Sequence, residues 1–138
     1  MSIPSPHPAE ARLTFRVRYV ECDPMGYMHH SHFLPMFEMG RTEMLRQSGI
    51  SYRELEARDV LFAVTKIAVN FKRPARYDDE LTLVTRITRQ THVRIEHAYE
   101  MYNAGTGELL CTAESTIACI NRAGQVQAIP EFLARPQP

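Results

Sequence analysis

Apolar and polar residues alternate along most of this chain, and one helical segment interrupts the alternation. Between Arg12 and Val20 every second side chain is apolar, which is the period of a half-buried β-strand. Only the links RQT and NAGTG separate the last three of the later alternating segments, and such short links make neighbouring strands antiparallel. The later predicted strands are 60–71, 80–88, 92–102 and 108–120, and a last short segment surrounds Val126.

One long helix is predicted after the first strand. Ser31 is a suitable N-cap, and Gly49 is a suitable residue to end the helix. Met36 and Met39 lie off the main apolar face, which favours a helix enclosed by other structure over a helix on the surface. A short polar helix or turn is predicted for 51–59. The apolar positions that recur at helical spacing are Phe33, Leu34, Phe37, Met44 and Leu45.

This order of elements predicts an α+β fold. A curved antiparallel sheet of five to six strands is expected to wrap around the one long helix. The chain has 138 residues, and 44% of them are hydrophobic, which is enough for one domain with one core. We therefore expect a single domain over 1–138, with loose tails at 1–11 and 134–138.

The predicted strands carry apolar residues on both faces, although one helix can cover only one face of the sheet. We therefore expect an oligomer that hides some of the second face, and scattered exposed residues on a monomer are the alternative. For 60–71 the alternation assigns to one face Leu61, Ala63, Ile67, Val69 and Phe71. The apolar residues assigned to second faces are Val60, Phe62, Val64, Leu110 and Ile120.

Charge and cysteine content exclude several classes of function. Sixteen basic residues balance sixteen acidic ones, so the molecule as a whole does not attract nucleic acid or an anionic membrane. No segment approaches the ~20 apolar residues that span a bilayer, and we expect no membrane insertion. Cys22, Cys111 and Cys119 are odd in number and lack CxxC spacing, which predicts reduced thiols and a cytoplasmic protein.

Asp23 is the first candidate for chemistry. Asp23 and Gly26 occupy the preferred positions of a type I turn, and a purely structural role in that turn is one interpretation. The turn also joins a strand to the start of the helix, where unpaired backbone N–H groups favour a negative charge. A carboxylate near donors that can hold an oxyanion is suited to acyl transfer, and a thioester is the acyl group that such a small site can cleave.

Three histidines follow this turn. His29, His30 and His32 do not form HExxH or a finger-type Cys/His spacing, so no metal ligand is predicted. His30 can orient Asp23 or a water molecule, or it can cap the helix. Cys22 is interpreted as a small, partly buried hydrophobic residue rather than a nucleophile.

Charged residues stand at two further places. Lys72, Arg73 and Arg76 surround a proline after a predicted strand, where they form either a solvated turn or a site for phosphate groups. Glu38 and Arg41, three residues apart on the helix, are predicted to form a structural ion pair.

Two segments together resemble the hotdog-fold acyl-CoA thioesterases, specifically the 4-hydroxybenzoyl-CoA thioesterase family and its relatives associated with the Tol-Pal envelope system. The first is RVRYVECDPMGYMHHSHFLPMFEMGRTEMLR and the second is KIAVNFKRPARYDDEL. The likeness lies in an aromatic strand, Asp-x-x-Gly, a histidine seven residues after the aspartate, and RTEMLR on the helix. It implies a sheet wrapped around a long helix and assembly as a homodimer or homotetramer.

The resemblance also implies roles for individual residues. Asp23 is the catalytic carboxylate, acting as base or nucleophile, and the backbone N–H of His30 is the oxyanion donor. The imidazole of His30 matches the histidine used in the Tol-Pal-associated branch, and Gly26 lets the turn approach the substrate. His29 and Phe33 differ from the residues that are frequent in relatives and lie near the acyl pocket. Lys72, Arg73 and Arg76 meet the nucleotide end of coenzyme A across a subunit boundary.

We therefore expect an acyl-CoA thioesterase that uses Asp23, His30 and no cofactor. A hotdog dehydratase or hydratase is the second hypothesis, because HFLP at the helix start resembles that branch. A non-catalytic acyl-CoA-binding module is the third.

Overall fold

A computed structural model describes residues 10–133 and contains one five-stranded antiparallel sheet with one long helix. The strand order is β1-β3-β4-β5-β2. This arrangement confirms the predicted α+β fold. The strands are β1 (Glu10–Arg16), β2 (Leu61–Phe71), β3 (Glu80–Gln90), β4 (Arg94–Asn103) and β5 (Leu109–Ile120), and the helices are α1 (Phe33–Gln47) and α2 (Tyr52–Ala57).

The ends of the first strand differ from the prediction. β1 begins at Glu10 and ends at Arg16, because the chain leaves the sheet at Val17 and forms a 3-10 turn at Tyr19–Glu21. Two residues of the predicted N-terminal tail therefore belong to the sheet. The remainder of that tail, 1–9, and the predicted tail 134–138 lie outside the described residues. Val126 forms one isolated bridge with Ile120 rather than a strand.

The core lies between α1 and the concave face of the sheet. Phe37 of α1 packs on Tyr99 of β4 with 4.6 Å between ring centroids, and both side chains are buried. Met36 is buried as an enclosed helix requires, but Met39 is half exposed. The helix is therefore covered on the sheet side only, and the prediction of enclosure is wrong for its outer face.

The start of the helix is capped by a different residue from the one predicted. A 3-10 turn at His30–His32 precedes α1, and the Nδ1 atom of His29 accepts a hydrogen bond of 3.2 Å from the backbone N–H of Ser31. The N-cap position of α1 is His32, whose side chain forms no capping bond. The His29 side chain therefore caps the backbone N–H of Ser31, and Ser31 is not the N-cap that the sequence predicted.

A β-bulge in β2 changes the predicted faces of that strand. Pairing with β5 shifts by one residue between Val64 and Lys66. Because a one-residue shift reverses the alternation, residues 62 and 64 point to the same face as residues 67, 69 and 71. Leu61 and Ala63 consequently belong to the convex face, and their assignment from the alternation is wrong.

The convex face of the sheet carries a polar cluster. Arg86 of β3 donates hydrogen bonds to Glu100 of β4 and to Glu10 of β1, and Tyr102 donates to the same Glu100 carboxylate. The hydrogen bond from Arg86, with a smaller contribution from Tyr102, lowers the pKa of Glu100. Two of the apolar residues assigned to second faces, Val60 and Leu110, are buried within the protomer. These two residues therefore need no oligomer to bury them.

Gly40 is the point where α1 approaches the sheet most closely. A Cβ atom at this position would contact Thr85 Oγ1 below normal separation and would lie 2.9 Å from Leu83 Cδ2. Both neighbours are fully buried on β3. Glycine therefore allows the helix backbone to lie against β3 where no side chain fits.

We expect Gly40→Ala to lower the free energy of unfolding by about 1–3 kcal/mol, because added methyl groups in a packed core force strain. At an exposed helix position, replacing glycine with alanine stabilises a protein by roughly 1 kcal/mol. At Gly40 we expect destabilisation instead, because the added methyl group has no space in the core. Urea unfolding measures the effect. Met39→Ala, at a half-exposed position of the same helix, is the control. Thr85→Ala in the Gly40→Ala background should recover part of the loss, and additive effects of the two changes would contradict the contact.

Candidate active site

The predicted turn after β1 is present. The N–H of Gly26 donates to the carbonyl of Asp23 at 2.9 Å, and the N–H of Asp23 donates to the carbonyl of Tyr27 at 2.9 Å. Gly26 has a φ of 81°, which lies in the left-handed region that favours glycine. A Cβ atom at Gly26 would meet nothing within 4 Å, so the requirement for glycine is one of backbone conformation.

The carboxylate of Asp23 is half buried and partly used by the turn. Its Oδ1 atom accepts hydrogen bonds from the N–H of Met25 at 2.9 Å and from the N–H of Tyr27 at 3.3 Å. Among residues 10–133 the structure gives no partner for the second oxygen, Oδ2. One side-chain oxygen therefore fixes the orientation of the group while the other stays available.

Backbone bonds hold the segment that links this turn to α1. The N–H of Met28 donates to the carbonyl of Ala75 at 2.7 Å, and the N–H of His29 donates to the carbonyl of Glu21 at 2.8 Å. Tyr27 also forms a bridge with Arg76. The turn is thus fixed to the loop after β2, which sequence spacing alone did not indicate.

One amide hydrogen in this segment has no acceptor. From Gly26 to Phe33, every backbone N–H donates to another described residue except that of His30. The amide of Ser31 bonds to the His29 ring, and the amide of Phe33 bonds to the carbonyl of His30. An unused donor at the first turn of a helix is a place where a negative oxygen can bind.

Several aromatic rings lie near the side chain of His30. The His30 ring lies on the His29 ring, with centroids 4.1 Å apart, and 6.5 Å from the ring of Phe71. Phe71 also packs on Phe33 at 5.2 Å and is 51% exposed at the end of β2. Phe33 itself is buried in the core, so its ring supports Phe71 from below rather than forming an open wall. The sequence placed Phe71 on a strand face but did not indicate that it lies at the candidate site.

The three cations of the basic loop have different surroundings. Arg73 pairs with Glu108, with Nε and Oε2 3.0 Å apart. The guanidinium of Arg76 lies over the ring of Tyr27, 5.2 Å from its centroid, and so joins the turn that carries the candidate carboxylate. Within the described range, the side-chain nitrogens of Lys72 and Arg76 form no ion pair, although the backbone N–H of Arg76 donates to Asp79 Oδ2 at 2.9 Å. The structure thus brings Arg76 to the site and leaves two cations unpaired.

A cavity lies elsewhere in the described structure. It has a volume of about 460 Å³ and opens between the C-terminal half of α1 and the concave face of the sheet. Its walls include Arg41, Leu45, Phe62, Ile95 and Ile117, and none of the predicted site residues lines it. No linear motif marks this cavity, because its walls come from both helices, four strands and Leu133.

The predicted ion pair between Glu38 and Arg41 is absent. Arg41 Nη1 instead donates a hydrogen bond of 2.8 Å to the hydroxyl of Tyr99. In the part of the chain that the structure describes, no carboxylate oxygen lies within 4.0 Å of the Arg41 guanidinium. The prediction was wrong because the tertiary fold offers Arg41 a buried partner on β4.

Two absences apply to the described residues only. Over residues 10–133 no three His, Cys, Asp or Glu side chains are grouped so that they could hold a metal ion. Over the same range no helix is long and apolar enough to cross a membrane.

Comparison with known proteins gives consistent matches. The family model described as thioesterase-like superfamily matches residues 17–137. The acyl-CoA thioester hydrolase YbgC of Escherichia coli O6:H1 is 34% identical over 110 residues, which cover 80% of this chain and 81% of that protein.

Solved structures also match over most of the chain. A crystal structure of a probable thioesterase from Bartonella henselae has a TM-score of 0.82 at 32% identity and covers 88% of this chain and 100% of that one. The DHNA-CoA thioesterase of Staphylococcus aureus has a TM-score of 0.82 at 26% identity, with 86% of this chain and 80% of that chain covered. The hotdog fold implied by the sequence resemblance is confirmed, and this chain belongs to the thioesterase-like superfamily.

Proposed function

We propose that this protein hydrolyses acyl-CoA thioesters to a free acid and coenzyme A, with Asp23 as the catalytic carboxylate. The observation that carries the proposal is the unused N–H of His30, which follows the turn that orients Asp23. Its similarity to YbgC, named as an acyl-CoA thioester hydrolase, supports this substrate class. The similar proteins reported above carry thioesterase names, which favours hydrolysis over the dehydratase hypothesis.

The chemistry needs only a carboxylate and an oxyanion donor. The thioester carbonyl oxygen binds the N–H of His30, so negative charge that develops on this oxygen is stabilised where it forms. The free oxygen of Asp23 either attacks the carbonyl carbon and displaces the coenzyme A thiolate, or removes a proton from an attacking water. In the first route water then cleaves the resulting anhydride, and both routes give the same products.

The surrounding residues bind and orient the substrate. The exposed face of Phe71 and the neighbouring rings of His29 and His30 form the wall beside the thioester. His29 is itself held by the hydroxyl of Ser31, 2.8 Å from its Nδ1 atom. Gly26 exposes the backbone of the turn to the substrate, and Phe33 supports Phe71 from the core.

The cations of the basic loop bind the phosphate groups of coenzyme A. Lys72 and Arg76 are suited to this role because no described carboxylate neutralises them. Arg73 must exchange its bond to Glu108 for a phosphate, and both side chains are exposed enough to do so. Surface ion pairs contribute about 0–1 kcal/mol, so this exchange is not costly.

We further propose that two copies pair along β2 to form a homodimer, from which a homotetramer can be built. β2 is an edge strand of 11 residues, and Val64 and Phe71 are each about half exposed along it. The opposite edge, β1, has 7 residues and carries Glu10, Arg12 and Arg16. Long apolar edges attract another strand, whereas short charged edges resist pairing.

The geometry of β2 limits where the second copy can bind. The hydroxyl of Tyr52 accepts the N–H of Phe62 at 2.8 Å, so this end of the edge is already occupied. The free part, 63–71, has its midpoint near Ile67. In antiparallel pairing around that midpoint, the Phe71 end of β2 in one copy lies beside the start of β2 in the other copy. The start of β2 carries Phe62 and Val64, which line the cavity. The turn of one protomer and the cavity of its partner would then form one site.

The cysteines are consistent with the proposed cytoplasmic location. Cys22, Cys111 and Cys119 are all free, and burial raises the pKa of Cys111 to about 12. A reducing compartment keeps such thiols unpaired.

Asp23→Asn is expected to lower kcat by about a hundredfold to ten-thousandfold, because the amide is neither a nucleophile nor a base. Its Oδ1 atom can still accept the two turn bonds, so the fold and coenzyme A binding should be retained. Thiol release from short aliphatic, long aliphatic and aromatic acyl-CoAs measures the activity, and calorimetry measures the binding. Asp78→Asn is the matched control, since Asp78 is exposed and has a φ of 68°, which asparagine tolerates.

Three outcomes would contradict the proposed catalysis. Full activity of Asp23→Asn would remove Asp23 from the mechanism. A wild type that binds acyl-CoAs without releasing thiol would support the binding module, and loss of the 2-enoyl-CoA absorbance would support the hydratase.

Val64→Lys should weaken the dimer about tenfold or more, because it replaces an apolar side chain with a charged one on the paired edge of each copy. Sedimentation over a range of protein concentrations measures the dissociation constant. Val126→Lys is the control, since Val126 is 62% exposed and lies outside β2. A wild type that is monomeric at every concentration, or a Val64→Lys protein as dimeric as the wild type, would exclude pairing through this edge.

A further inference from the structure

The large cavity contains one cation in walls that are mainly apolar. Leu45, Phe62, Ile95 and Ile117 supply apolar surface, and Arg41 supplies a guanidinium from the middle of α1. Arg41 is only partly exposed. A cation at the wall of an apolar cavity has lost part of its hydration, so an anion bound there would be favoured.

A buried relay fixes the position of this guanidinium. Arg41 Nη1 donates to the hydroxyl of Tyr99 at 2.8 Å, and that hydroxyl lies 2.6 Å from Ser115 Oγ. Because the Tyr99 oxygen accepts from Arg41, its own hydrogen is free to be donated to Ser115. Tyr99 and Ser115 are both almost fully buried, so the relay is part of the core. It holds one of the five N–H groups of Arg41 and leaves the others unassigned.

The charge of Arg41 is not neutralised by the described residues. Glu38, one turn earlier, also lines the cavity, yet no ion pair forms between the two side chains. Glu38 is exposed at the mouth, where water screens its charge. The interior of the cavity therefore presents a fixed cation with hydrogen bonds to spare.

We propose that the cavity receives the far end of the acyl group and that Arg41 binds a carboxylate there. Preferred substrates are then mono-coenzyme A thioesters of dicarboxylic acids, whose methylene chain contacts the apolar walls. A planar guanidinium can bind a carboxylate through two parallel N–H bonds, which a lysine cannot do. This inference rests on the proposed thioesterase function and on the proposed pairing along β2, which sets the cavity of one copy beside the turn of the other. Arg41 is a specificity residue in it, remote from the reacting bond.

The test compares substrates of equal chain length with and without the second carboxylate. Adipyl-CoA is paired with hexanoyl-CoA, and suberyl-CoA with octanoyl-CoA, using thiol release as the readout. We expect kcat/KM of the wild type to favour the dicarboxylic member by about tenfold or more, because a site with an unpaired polar group discriminates against ligands that leave it unpaired. Arg41→Met should abolish this preference, and Arg41→Lys should restore part of it.

Two further variants separate specificity from folding. Tyr99→Phe keeps the ring packing and removes the relay, so the preference should decrease, and the loss of a buried hydrogen bond should lower the melting temperature by several degrees without unfolding the protein. Arg46→Met alters an exposed arginine of the same helix that pairs with Glu43, and it should leave the preference unchanged. Equal loss of activity on both members of a pair in Arg41→Met, or a wild type that favours the monocarboxylic member, would overturn the proposal.

Binding of free suberate and octanoate provides a readout that does not depend on catalysis. Calorimetry on the wild type should show tighter binding of suberate, and Arg41→Met should remove the difference. If no acyl-CoA is hydrolysed but this difference is found, the proposed function fails and the carboxylate site stands. If acyl-CoAs are hydrolysed without any preference and suberate binds no better than octanoate, the carboxylate site is excluded and the thioesterase function stands.

Discussion

The close contact between Gly40 and β3 determines where both ends of α1 lie. Because no side chain separates the helix from Leu83 and Thr85, α1 packs over β3 and β1 rather than over the middle of the sheet. Its first turn then lies beside the turn that carries Asp23. Its C-terminal half leaves uncovered space over β4, β5 and β2, and this space is the large cavity. One packing constraint therefore produces both the candidate site and the cavity.

The turn at Asp23 shows that a structural role leaves this residue free for the chemical role proposed for it. Backbone N–H groups bind one oxygen of the carboxylate and fix its orientation, while the other oxygen has no described partner. A similar division is found at the helix start. The ring of His29 accepts the N–H of Ser31, and the N–H of His30 has no described acceptor. The two interpretations of Asp23 that the sequence left open are therefore compatible.

The fold was largely predictable from the sequence, and the errors have identifiable causes. Period-2 alternation and one helical segment were enough for the α+β plan, because each depends on local side-chain order. The faces of β2 were assigned wrongly because a bulge at Thr65 depends on pairing with β5. Ser31 was assigned as a cap because serine is common there, but the choice between neighbouring caps depends on the approach of the chain. The Glu38–Arg41 pair failed because spacing along a helix cannot show that Tyr99 is within reach.

The sequence by itself determined the strands, the long helix, the turn at Asp23 and the family, since all of these follow from local patterns and a contiguous motif. Only the tertiary structure decided which amide stays free, which cations stay unpaired and where the cavity lies. These features depend on contacts between elements far apart in the chain, such as Ala75 with Met28 and Arg41 with Tyr99. A linear pattern records the residues that can form a hydrogen bond, but the fold selects the partners that they meet.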